Sequence, residues 1–79
     1  MFRSKEKQLE KLEGKRRGIL NMIVYYETEI KNMNTKAKKE SFQSDEHHSR
    51  YVEKLKEGLD KQHQRLNDIV RRIESLEKQ

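Results

Sequence analysis

The chain contains no cysteine, which excludes disulfides and thiolate metal sites. It also lacks proline and has only three glycines among 79 residues. A domain of several strands joined by tight turns needs more of both, whereas a long helix tolerates their absence. No apolar run approaches the ~20 residues of a membrane-spanning helix. The segment Met1-Phe2-Arg3-Ser4-Lys5-Glu6-Lys7 has no apolar stretch of the kind a secretory leader carries, so the expected compartment is the cytoplasm. Hydrophobic residues are scarce too: 30% against 42% charged, with a mean hydropathy of -1.32. That balance suits either a disordered chain or a coiled coil, in which only two positions in seven must be apolar. A chain this short, without disulfides, normally completes its core by oligomerising or by binding a partner.

What apolar surface there is concentrates in Ile19-Leu20-Asn21-Met22-Ile23-Val24-Tyr25-Tyr26, where only Asn21 is neither apolar nor aromatic. This segment sits inside a heptad pattern. Phe2, Leu9, Arg16, Ile23, Ile30 and Ala37 recur every seven residues, and Lys5, Leu12, Ile19, Tyr26 and Met33 recur three residues later. Only Lys5 and Arg16 among these are polar. The alternating spacing of four and three is the coiled-coil signature, and strand alternation fits nowhere along it.

The pattern lapses between Asn34 and Arg50, where only Ala37 and Phe42 are apolar. Asn32, Asn34, Thr35, Ser41 and Ser44 are types that weaken or cap helices. Ser44 followed by Asp45 and Glu46 reads as an N-cap with acids in the first turn. The stripe then resumes with Val52, Leu59, Leu66 and Ile73, and with Leu55, Gln62, Ile69 and Leu76. It resumes one residue out of phase, which argues for a chain reversal rather than one continuous helix. Antiparallel pairing gives compatible layers: Leu9 with Ile73, Leu12 with Ile69, Ile19 with Gln62, Ile23 with Leu59, Tyr26 with Leu55, and Ile30 with Val52. Arg16 then falls near Leu66 and one layer from Gln62, so it either meets Gln62 or reaches out to solvent. The expected fold is all-α: a single domain formed by a long antiparallel two-helix coiled-coil hairpin. Helix 1 is predicted over about residues 3–34, the turn over 35–44 and helix 2 over 45–78. Two helices leave Leu20, Met22, Val24 and Tyr25 uncovered, so pairing of two hairpins into a four-helix bundle, or docking on another protein, is expected there.

Charge is uneven. Residues 1–39 hold eleven Lys and Arg against five Asp and Glu, a net of +6; residues 40–79 hold eight against nine, a net of −1, and the two give the overall +5. In a hairpin, Lys15 and Arg17 approach Arg65, Arg71 and Arg72, forming a basic patch away from the turn that suits phosphates or an acidic protein surface. Interspersed Glu10, Glu13, Asp68 and Glu74 give the same region the character of an ordinary solvated helix face. Asp60 and His63 lie one turn apart, but two ligands make no zinc site. The adjacent His47 and His48 read as polar residues at a helix start. Gly14 and Gly18 lie four apart, away from the seam.

No nucleophile–base grouping, glycine-rich phosphate loop or base-reading motif is present, so no catalytic, cofactor-binding or metal residue is assigned. Leu12-Glu13-Gly14-Lys15-Arg16-Arg17 and Gly58-Leu59-Asp60 are similar to fragments of the small two-helix sporulation phosphatases. That family's Ser-Gln-Glu-Leu-Asp motif is reduced here to Leu59-Asp60, and the fragments stand too far apart for its activity to be carried over. The sequence points to a small non-enzymatic regulator, inhibitor or adaptor that binds another protein or itself through a helical face. The alternative is a basic, dimeric nucleic-acid-binding protein.

Overall fold

The computed structural model describes the backbone of residues 2–79 and the side chains of residues 4–79. Three helices follow one another: α1 (Phe2–Met33), α2 (Lys36–Ser41) and α3 (Asp45–Glu77). The two long helices pack against each other as a hairpin measuring 58 × 15 × 13 Å. Among the described residues all regular structure is helical. The bounds of α1 and α3 lie within a residue of the ranges expected from periodicity and capping.

The heptad positions define the seam. Leu12, Ile23, Met33, Val52, Leu55, Gln62, Ile69 and Ile73 are buried, and Leu9, Ile19, Tyr26, Ile30, Leu59, Leu66 and Leu76 are half-buried. Most of them gather into two clusters. At the open end, Leu12, Ile69 and Ile73 pack with Leu9, Ile19 and Leu76. At the turn end, Met33, Val52 and Leu55 pack with Tyr26, Ile30 and Phe42. No described side chain is fully enclosed. That is the geometric limit of two helices, each of which can cover only one stripe of the other. The seam position Phe2 lies outside the described side chains. Ala37 leaves the seam and is exposed on α2, because α1 ends at Met33.

The reversal holds more structure than an open turn. Thr35 ends one helix and starts the next: its hydroxyl donates to the Asn32 carbonyl at 2.9 Å and accepts from the Lys38 amide at 3.4 Å. α2 ends at Phe42 in an extended conformation, and Ser44 caps α3 by accepting from the His47 amide at 3.2 Å. Asp45 and Glu46 occupy the first turn of α3, where the helix dipole favours acids. Among the described residues none has positive φ. The reversal therefore needs no left-handed residue, which explains why no glycine marks it in the sequence.

Candidate functional site

Helical geometry divides the expected partner-binding residues Leu20, Met22, Val24 and Tyr25 between two edges. Leu20 and Val24 lie 40° apart around α1, but each lies two residues, or 160°, from Met22. Met22, Tyr25 and Gly18 therefore share one edge of the hairpin, and Leu20 and Val24 the other. All four large side chains are exposed: Leu20 42%, Met22 41%, Val24 62% and Tyr25 53%. Tyr25 packs edge-on against Tyr26, ring centroids 5.6 Å apart.

The Met22 edge opens into a groove between α1 and α3. Ile19, Met22 and Ile69 form its apolar floor, with Gln62 at one end. Lys15, Arg65 and Arg72 line its rim, opposed by Asp68 alone. Toward the open end it continues past Lys11, Leu12 and Leu76, sharing Lys15 and Arg72 with the first stretch. From Gln8 to Met22 it follows about 21 Å of α1. Gly18 forms part of its wall, and a Cβ there would meet no atom within 4 Å. The basic patch is thus only partly assembled. Lys15, Arg65 and Arg72 converge, whereas Arg17 and Arg71 do not line the groove: Arg17 lies 160° round α1 from Lys15, and Arg71 100° round α3 from Arg72.

Two ion pairs form among the described residues, Arg16–Glu13 at 2.9 Å and Arg50–Glu46 at 2.7 Å. Neither involves a cation of the groove. Arg16 does not meet Gln62. Its guanidinium turns along its own helix to Glu13, and its Nε is covered without a hydrogen-bond partner.

Compared with protein-family models, curated proteins and solved structures, the chain matches none of them. Its site must be understood from its own geometry. Among the described residues no three His, Asp or Glu side chains gather to hold a metal ion. No helix among them is long and apolar enough to cross a membrane.

Two positions carry more structure than the sequence reading gave them. His48 is not a solvated residue at a helix start. It is buried, and its Nε2 donates to the Met33 carbonyl across the hairpin at 2.6 Å, because a carbonyl can only accept. Phe42 packs edge-on against it, ring centroids 5.2 Å apart, and lies tilted against Tyr51 at 5.7 Å. The signal was available: His48 precedes Leu55 by one heptad and so belongs to the seam. Gly58 is the other. A Cβ there would stand 2.7 Å from the Tyr26 ring, so glycine at this position makes room for that ring between the helices.

Proposed function

We propose that the chain is a small, cytoplasmic, non-enzymatic regulator or adaptor that binds another protein through its helical edges and pairs with itself into a four-helix bundle. The observation that carries this reading is the exposure of Leu20, Met22, Val24 and Tyr25 on a chain that is otherwise charged. Burying a large apolar side chain is worth about 1.5–3 kcal/mol, so leaving several in water disfavours the isolated hairpin. The Leu20/Val24 edge carries the self-association, with His63 and Val70 beside it. These two lie on the α3 edge opposite Arg65 and Arg72, each two residues before one of those arginines.

Leu20→Glu/Val24→Glu is the test. Circular dichroism should stay helical while sedimentation shows a shift to monomer. Ile23→Asp is the contrasting control: it places a charge in a buried seam position and should unfold the hairpin itself. A Leu20→Glu/Val24→Glu variant with unchanged mass in solution and unchanged partner capture sinks the proposal.

The convergence of Lys15, Arg65 and Arg72 supports a second reading, nucleic-acid binding by a basic dimer. That reading requires affinity to fall steeply with salt and to vanish in Arg65→Gln/Arg72→Gln.

A further inference from the structure

We propose that the cationic groove between α1 and α3 is the docking site of an acidic amphipathic helix on a partner protein. This rests on the protein-binding reading above and names the partner's chemistry. Three features of the groove define the occupant. Its floor is apolar, formed by Ile19, Met22 and Ile69 and continued by Leu12 and Leu76. Its rim carries four cations, Lys11, Lys15, Arg65 and Arg72, against one acid, Asp68, a net of +3. None of these cations has an acid within ion-pair distance among the described residues.

The groove's length, about 21 Å, matches roughly 14 helical residues, or four turns. The furrow between two antiparallel helices is where a third helix packs, its apolar stripe on the seam and its flanks beside the rim. Gly18 presents bare backbone on that wall and lets the third helix approach closely. A third helix would also supply the enclosure that two helices cannot, since no described side chain is fully buried.

A second copy of the chain fits this edge poorly. Two-fold pairing would set Lys15, Arg65 and Arg72 against their own counterparts, in a chain already at +5. A nucleic acid would satisfy the rim with phosphates but leave the apolar floor wet. An acidic amphipathic helix satisfies both.

The probe is a fluorescein-labelled, hydrocarbon-stapled 14-residue helix with Leu along one stripe and Glu elsewhere, followed by anisotropy on the full chain. It should bind saturably, while the same peptide with Lys for each Glu should not. Lys15→Glu/Arg72→Glu should weaken binding by at least about tenfold. These residues are exposed, so circular dichroism should be unchanged. Lys15→Gln/Arg72→Gln is the milder variant should charge reversal disturb the hairpin. Met22→Ala should weaken binding about fivefold, through the floor alone.

Several outcomes overturn the proposal. One is no peptide binding, or binding indifferent to both rim variants. Another is a single-stranded DNA 20-mer that displaces the peptide and binds the Met22→Ala variant as well as the parent chain. If the groove variants keep a cellular protein partner that Leu20→Glu/Val24→Glu loses, protein binding stands and the groove assignment falls. If neither set of variants changes capture of any protein, both readings fall together.

Discussion

The two ends of the hairpin are built by different means. The turn end combines aliphatic packing with directed contacts: the His48–Met33 bond, the Phe42 ring against His48 and Tyr51, and the Thr35 and Ser44 caps. Among the described residues, the core cluster of the open end is aliphatic, with Leu12, Ile69 and Ile73 at its centre and a rim of unpaired cations beside them. Gln62 lies between the two ends, and Arg16 interrupts the open-end stripe between Leu12 and Ile19. A hydrogen bond across a seam fixes register because it is satisfied at one offset only, whereas leucines and isoleucines slide past one another at little penalty. The turn end therefore specifies the pairing, and the open end is left free to present a surface.

His48→Ala should break this contrast most strongly. It removes a buried ring and leaves the Met33 carbonyl without its cross-hairpin donor, a loss of about 2–3 kcal/mol. Amide exchange should accelerate around residues 30–35 and 45–55 before it does around 9–19. Uniform acceleration along both helices would show that the two ends do not differ as described.

Arg16→Leu should narrow the contrast by strengthening the seam on the open-end side of Gln62. It supplies an apolar side chain at a half-buried seam position and removes a covered Nε that has no partner. The exposed pair with Glu13 is a small loss, because its charges are largely solvated. A gain of about 1 kcal/mol in urea denaturation is expected. A loss there would mean that Arg16 serves the fold in a way its contacts do not reveal.

Gly58→Ala tests the fit of the turn end and should have the smallest effect. Ala favours a helix over Gly by about 1 kcal/mol, but its Cβ must push the Tyr26 ring aside. The net result should be a loss of about 0.5 kcal/mol, read as a lower melting temperature. In a Tyr26→Leu background the same change should become stabilising. If Gly58→Ala already stabilises the parent chain, the ring has room that the packing does not show.

The hairpin itself was legible in the sequence, because the stripe Leu9–Leu12–Ile19–Ile23–Tyr26 and its counterpart in the second half recur at coiled-coil spacing. The polar heptad positions Arg16 and Gln62 were legible as seam residues, but what Arg16 does there was not. A heptad marks which face a side chain starts from, not where a long flexible one ends. The short helix α2 escaped notice because six residues carry too little periodicity to announce themselves, and its cap Thr35 reads equally as a turn residue. The candidate surfaces were half legible. Exposure of Leu20, Met22, Val24 and Tyr25 follows from their absence from the stripe, but their division between two edges needs the 100° step counted residue by residue. Arg17 and Arg71 joined the basic patch because they neighbour its members along the chain, and neighbours along a helix point apart.

The bond between His48 and Met33 spans 15 residues, whereas the Leu12–Ile69 layer closes a loop of 57. Loop-closure entropy makes the longer loop harder to close from an unstructured chain by about 1 kcal/mol. Loop closure alone therefore favours zipping from the reversal, each aliphatic layer shortening the gap that the next must bridge. Opening runs the other way, beginning at the far end of the ribbon. The cationic groove lies on the part of the molecule that closes last and parts first, so an occupant lying across it would act as a clamp and slow the opening of the whole chain.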